Sequence, residues 1–167
     1  MNTTTSILVL SDTHGYIDND VLQHVKTVNQ VWHAGDIGSL HVIETLEACV
    51  PLYAVYGNID SHAIRMQTKE FLCFECNGLC VLLSHITGYP PKYAPGIIQK
   101  IKEYTPSILV GGHSHICKVM NDANNSLLYI NPGAIGKTGF HSVRTMIRFE
   151  ITNAKPHNMS VIELPRW

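Results

Sequence analysis

The chain has 167 residues, 45% of them apolar, and a formal net charge of −1. This length fits one domain, residues 1–167, whose core is large enough to fold without disulfide or metal staples. Twelve basic residues against thirteen acidic ones, with no basic run, exclude electrostatic capture of a long nucleic acid or an anionic membrane and favour a small substrate. Ten histidines are many beside so few charges.

The five cysteines, Cys49, Cys73, Cys76, Cys80 and Cys117, are odd in number and irregular in spacing. A two-residue turn at Asn77-Gly78 pairs Cys76 with Leu79 and Glu75 with Cys80, and Cys73 and Cys76 fall on opposite faces of their strand. Neither a disulfide nor a thiolate zinc site is expected, and small buried thiols suit a reducing compartment. Met1 to Thr5 carries no basic residue, and the apolar run Ile7 to Leu10 is too short for a signal sequence. No stretch approaches the ~20 apolar residues of a membrane span. The expected location is cytoplasmic.

In chain order, Ser6 to Leu10 is a continuously apolar run, as in a strand covered on both faces, and it ends in Ser11-Asp12-Thr13-His14-Gly15. Asp18-Asn19-Asp20 can cap a helix with Val21, Leu22, Val25 and Val28 on one stripe. Val31 to Ala34 is a second strand, ending in Gly35-Asp36-Ile37-Gly38. Ser39 caps a second helix with Val42, Ile43 and Leu46 inward. Val50 to Tyr56 is a third strand, ending in Gly57-Asn58-Ile59-Asp60. The alternation of strand, polar loop and helix predicts parallel strands joined by right-handed crossovers.

Phe71 to Cys76 and Leu79 to Leu83 then predict an antiparallel hairpin running into Ser84-His85. The segment Ile86 to Tyr93, with Pro90-Pro91, is too stiff for either regular structure. Pro95-Gly96 opens a third helix with Ile97, Ile98 and Ile101 inward, and Pro106 stops it. Ile108 to Val110 leads into Gly111-Gly112-His113-Ser114-His115. On an extended segment His113 and His115 would point to one side about 6.5 Å apart and serve one site. The remainder reads as strands, at Cys117 to Met120, Leu127 to Ile130, Val143 to Ile151 and Met159 to Leu164. The fold class is α/β with two sheets.

Five apolar strands thus end in Asp12 with His14, Asp36, Asn58, His85, and His113 with His115. Ligands of parallel sheets bind beyond the carboxyl ends of the strands, so these loops should converge on one crevice. Singly, each residue has an ordinary reading as a turn former, cap or surface histidine. Together they supply two carboxylates, one amide oxygen and four imidazoles without a thiolate. That set suits manganese, iron or expanded-shell zinc, and is enough for two ions.

In order and spacing, Asp12-x-His14, Gly35-Asp36, Gly57-Asn58, His85 and Gly112-His113-x-His115 resemble the signature of the calcineurin-like metallophosphoesterases, and the chain's size is similar to their small bacterial and archaeal phosphodiesterase branch. The resemblance implies a two-sheet β-sandwich flanked by helices, a four-layer αββα arrangement, holding two divalent metal ions. Manganese is the expected metal, with iron, zinc, nickel or cobalt as alternatives. Asp12, His14, Asp36 and His115 would bind one ion and Asp36, Asn58, His85 and His113 the other, with Asp36 as the bridge. The implied reaction is attack of a metal-bridging hydroxide on a small phosphoester, with Asp36, Asn58 and His85 as catalytic residues and Asn58 as the substrate contact. Many family members have a histidine after Gly-Asn, proposed to protonate the leaving oxygen, where this chain has Ile59. The phosphodiesterase branch often lacks it too, and no general acid is assigned. A phosphomonoesterase with the same site, or a protein-binding scaffold like the related subunit of the eukaryotic retromer coat, is the alternative; an oligomer is left open.

Asn131 to Thr138 falls one glycine short of a phosphate-cradling P-loop and precedes a turn and strand, not a helix. The resemblance instead places Asn131-Pro132-Gly133 near the metals. Arg144, Arg148 and Lys137 are read as a solvated face, with phosphate contact as the alternative. His24, His33, His41, His62, His141 and His157 have no motif partner, and of these His41 and His62 are placed closest to substrate.

Overall fold

The computed structural model describes residues 3–167. In chain order the elements are β1 (Thr4–Leu10), α1 (Asn19–Val25), β2 (Gln30–His33), α2 (Leu40–Glu47), β3 (Leu52–Ala54), α3 (His62–Gln67), β4 (Phe71–Cys76), β5 (Leu79–Ser84), β6 (Gly88–Tyr89) and β7 (Lys92–Tyr93). They continue with α4 (Ile97–Tyr104), β8 (Ile108–Val110), β9 (Cys117–Asp122), β10 (Leu127–Pro132), β11 (Val143–Thr152) and β12 (Lys155–Pro165). Two five-stranded sheets result, ordered β12-β11-β1-β2-β3 and β4-β5-β8-β10-β9. Within them β1, β2 and β3 run parallel, as do β5, β8 and β10.

The apolar runs take their meaning from this layering. Ile7 and Val9 of β1 point between the sheets, where they join Trp32, Val81, Leu83, Val110, Ile130 and Phe149. Leu8 and Leu10 point the other way, onto Val21 and Val25 of α1 and Val42, Ile43 and Leu46 of α2. On the outer face of the second sheet, Leu82, Leu109 and Tyr129 pack under Ile97 and Ile101 of α4. A strand buried on both faces has no polar side to alternate, hence its continuous apolar sequence. The layers are helix, sheet, sheet, helix, the arrangement implied by the resemblance.

Several local expectations need correction. α3 was not foreseen, because only Ile64 of its six residues is buried and so no apolar stripe marks it. The Pro90-Pro91 segment is not irregular: β6 and β7 pair around it, Gly88 with Tyr93 and Tyr89 with Lys92, leaving the prolines in the turn where no N–H is needed. β3 is shorter than Val50 to Tyr56, and Val55 makes only an isolated bridge to Lys69. α1 ends before Val28, which is buried from the turn that follows.

The hairpin register is as predicted, Cys76 opposite Leu79 and Glu75 opposite Cys80. One diagonal step away, however, the Sγ atoms of Cys73 and Cys80 lie 3.3 Å apart as free thiols. That proximity follows from their sharing a face, since Cys73 lies two residues from Glu75, the residue opposite Cys80.

Arg144 departs furthest from its reading as a solvated or phosphate-binding residue. It is 2% exposed; Nη1 and Nη2 donate to the two carboxylate oxygens of Asp18 at 2.9 and 3.1 Å, and Nε donates to the Ile135 carbonyl at 2.8 Å. Asp18 also caps α1, accepting from the Val21 amide, so this one pair fastens the first helix to β11. A planar guanidinium suits such bidentate pairing, and removing one partner strands the other's charge. Arg144→Met should therefore lower unfolding free energy by about 2–3 kcal/mol, below the range for fully buried pairs because Asp18 keeps some exposure. Urea denaturation followed by circular dichroism measures this; a loss under about 0.5 kcal/mol would contradict a structural role.

Candidate metal centre

The predicted convergence is met through loops of both sheets. β1, β2 and β3 deliver Asp12 with His14, Asp36 and Asn58; β5 and β8 deliver His85, and His113 with His115. Backbone bonds lace the loops together: Asp12 N donates to Gly35 O at 2.9 Å, His14 N to Asp36 O at 3.0 Å, and Gly112 N to His85 O at 2.9 Å. The buried Asp60 carboxylate accepts from the amides of Ile37, Gly38 and Gly57 at 3.0, 2.7 and 2.7 Å, tying the second loop to the third. Gly57 lacks a side chain where a Cβ would collide with Asp36 Oδ1.

Five of the seven residues have left-handed backbones: Asp12 (φ 55°), His14 (47°), Asp36 (52°), His113 (69°) and His115 (59°). Such conformations are uncommon outside glycine and each costs on the order of 1–3 kcal/mol. They also correct the geometry expected for the last motif. His113 and His115 are not on an extended segment, and their side chains part. His115 joins Asp12 and His14, while His113 joins Asp36 and His85; within each group the candidate ligand atoms lie within 4.8 Å of one another.

Asp36 sits between the two groups. Its Oδ1 is 3.2 Å from His85 Nε2 and its Oδ2 is 3.7 Å from His14 Nε2. Asn58 Oδ1 lies 3.1 Å from His85 Nε2 and thus beside the second group. In the first group Asp12 Oδ1 lies 3.1 Å from His115 Nε2 and 3.8 Å from His14 Nε2. Ser11 Oγ and the His113 amide donate to the other oxygen of Asp12, Oδ2, at 2.6 and 3.1 Å. That leaves Asp12 Oδ1 and His14 Nε2 buried with no hydrogen-bond partner. Unpaired buried acceptors are costly in a protein interior and are satisfied by a cation.

The electrostatics agree. Burial alone would raise Asp12 and Asp36, but the imidazoles of His115 and His85 beside them, with Ser11 Oγ donating to the one and the Ile59 amide to the other, hold both carboxyls below their ordinary value. Burial would lower His85, yet Asp36 and Asp12 push it up. His85 Nδ1 faces the Ala34 carbonyl at 2.7 Å and donates to it, which leaves Nε2 directed into the space it shares with Asp36 Oδ1 and Asn58 Oδ1, where its lone pair can be offered to a cation. This is how a metal-binding imidazole is oriented by its outer partner. The donor set of oxygens and imidazoles, converging with unsatisfied lone pairs, fits divalent ions.

His141, read as having no motif partner, stands edge-on to His115 at 5.3 Å and lines the mouth of the site with Ile59, Ile116 and Phe140. Its Nε2 donates to Gly136 O at 2.9 Å. Its place depends on the turn 136–140, and nothing in the spacing signals it. His41 and His62, placed closest to substrate on sequence, do not line that mouth. Asn131 Nδ2 donates to Gly112 O at 2.9 Å and to Ser114 Oγ at 3.2 Å, so the near-P-loop stretch braces the last motif.

His33 is fully buried behind the first loops. The Gly35 amide donates to its Nδ1 at 3.2 Å and its Nε2 meets Thr13 Oγ1 at 3.0 Å, a pattern for the neutral ring. Burial pushes its pKa down to about 4. A depressed histidine binds its proton more tightly when unfolded, so its stabilising effect is present above pH ~6.5 and is lost as pH falls from there toward ~4. Chemical denaturation of metal-free protein over this window should show stability falling by up to ~1.4 kcal/mol per pH unit from this group. His33→Gln should flatten the slope; an unchanged slope would refute the assignment.

Residues 6–154 match the family described as the calcineurin-like phosphoesterase superfamily domain. A probable metallophosphoesterase of Methanothermobacter thermautotrophicus is 29% identical over 137 residues, 75% of this chain and 74% of that protein. Among solved structures, an archaeal phosphodiesterase superposes with a TM-score of 0.71 at 23% identity, covering 95% of this chain and 99% of its own. Vps29 of Entamoeba histolytica, crystallised with zinc, superposes with a TM-score of 0.73 at 15% identity, covering 96% and 99%. The family match spans every residue of both candidate ligand groups, and the chain belongs to the calcineurin-like phosphoesterase superfamily.

Proposed function

We propose that the chain is a two-metal phosphodiesterase of small substrates. The observation that carries this reading is the position of Asp36, one carboxylate oxygen toward His85 at 3.2 Å and the other toward His14 at 3.7 Å. A carboxylate so oriented can bridge two ions. Asp12, His14, Asp36 and His115 would hold one, and Asp36, Asn58, His85 and His113 the other, with manganese expected from the oxygen and imidazole set. Ions in these positions supply Lewis acidity toward phosphate oxygens and bring the pKa of a water near neutrality. Asn58 directs its Oδ1 toward the second group, which frees its Nδ2 to donate to a phosphate oxygen. His85 is kept in one tautomer by the Ala34 carbonyl.

Diester substrates are favoured by what surrounds the mouth. Among the described residues that line it there is no lysine or arginine, so a monoester's second negative charge would find no fixed cation. Ile59, 47% exposed there, cannot protonate a leaving oxygen, which favours leaving groups stable as anions. The archaeal neighbour named as a phosphodiesterase supports the same class. Free thiols support a cytoplasmic site of action, and among the described residues no helix is long and apolar enough to cross a membrane. A second reading, a protein-binding scaffold, draws on the exposed apolar rim of Ile59, Ile116 and Phe140.

With manganese, bis-p-nitrophenyl phosphate should be hydrolysed faster than the monoester, with activity lost on chelation. Asp36→Ala should reduce turnover by more than ~100-fold, beyond what losing an outer partner of a ligand costs. Retained activity in that variant, or faster monoester turnover, would sink the proposal; absence of turnover with every metal would favour the scaffold. Manganese at about 100 times its Kd should also stabilise the fold by about 2.7 kcal/mol in thermal unfolding, and Asp36→Ala should abolish most of that gain.

A further inference from the structure

We propose that a cavity beside the metal centre receives one ester group of the substrate, and that this group is neutral and ring-bearing, of the nucleoside type. The position of the phosphate is taken from the phosphodiesterase reading above; the identity of the group rests on the cavity itself.

The cavity has a volume of about 360 Å³, at the lower end of the ~300–1,000 Å³ of small-molecule sites, so it suits one compact group and not a polymer. Asn58 lines both this cavity and the mouth of the metal centre, and His85 forms part of its wall. A phosphate seated at the two ligand groups would therefore have one substituent pointing into it. A monoester has no such substituent, so the cavity would select diesters by binding as well as by chemistry.

The lining defines the chemistry of the occupant. Phe71, Ile86, Ala94 and Ile97 make apolar walls, against which a charged group would lose its hydration without return. Two polar side chains of opposite sign face the same space. Arg65 lies over the Tyr56 ring at 4.5 Å, with Nε donating to Asp60 O at 2.9 Å and Nη2 to the carbonyls of Gly57 and Asn58 at 3.2 and 3.3 Å. These bonds fix the guanidinium and use neither N–H of Nη1. Glu70 accepts from the Tyr56 hydroxyl through Oε2 at 3.5 Å, which leaves Oε1 as an acceptor. A held donor and a held acceptor between apolar walls match a neutral heterocycle with both functions on its edge, whereas a cation meets Arg65 and an anion meets Glu70.

Two measurements test this, one of them independent of turnover. Binding of thymidine, which carries no phosphate, is followed on the chelated protein by amide chemical shifts. Saturable shifts are expected at Tyr56, Phe71 and Ile97, and Ala94→Phe, which fills the cavity, should weaken binding by at least about tenfold. Should Ala94→Phe fail to fold by circular dichroism, Ile86→Trp replaces it, since Ile86 is already 44% exposed. In the manganese-loaded protein, kcat/KM for thymidine 5′-p-nitrophenyl phosphate should exceed that for methyl p-nitrophenyl phosphate by about tenfold or more. The filling variant should erase that preference. Thymidine that fails to bind, or binds wild type and filled variant alike, overturns the inference even where diester hydrolysis stands. Thymidine binding lost on filling, with no diester hydrolysed, upholds the cavity's assignment and overturns the phosphodiesterase reading instead.

Discussion

Convergence of lone pairs that have no proton to share is the constraint on which the rest of the structure depends. Asp12 Oδ1 and His14 Nε2 are buried and unpaired, and Asp36 presents one oxygen to each side. Left alone, such a cluster would repel itself apart or draw in water. It stays together because the loops behind it are over-determined: Asp60 grips three amides, Ser11 and the His113 amide hold the far oxygen of Asp12, and Ala34 fixes the ring of His85. The five left-handed residues add on the order of 5 kcal/mol or more of backbone strain, comparable with the net stability of a whole domain of about 5–15 kcal/mol. Only a large, well-packed core could carry that load.

The core is large because each sheet is buried on both faces. β1 divides its side chains between the inter-sheet layer and the helix layer, with Ile7 and Val9 on one side and Leu8 and Leu10 on the other, all four without solvent exposure. The site then lies at the rim of the sandwich, where strands of both sheets end. Neither sheet supplies a complete ligand group: Asp12 and His14 come from the first and His115 from the second, and likewise Asp36 against His85 and His113. The site is thus a joint between the two halves.

Much of this was legible from residues alone. Continuous apolar runs marked the buried strands, Asn77-Gly78 set the hairpin register residue for residue, and the seven polar residues at strand ends were the ones brought together. What escaped had physical reasons. α3 buries one side chain, so it left no periodicity. Arg144 looks like any surface arginine until its partner Asp18, 126 positions away, closes over it. His141 reaches His115 only through a turn. The partition of His113 and His115 between the two groups is the one the resemblance implies; spacing alone put both on one site, because left-handed backbone at histidine leaves no mark in the spacing.

The same joint bears on how the site comes into being during synthesis. The ligand groups span 103 positions, from Asp12 to His115, and 77, from Asp36 to His113. While the chain emerges from the ribosome, neither can close until β8 has paired with β5 and the residues beyond it have left the exit tunnel. An ion therefore cannot template early folding, as it does in small metal-stapled domains. An ion bound there would arrive last, at a cradle the hydrophobic core has already shaped, and selection among cellular cations would be made by a finished protein and not by a nascent one.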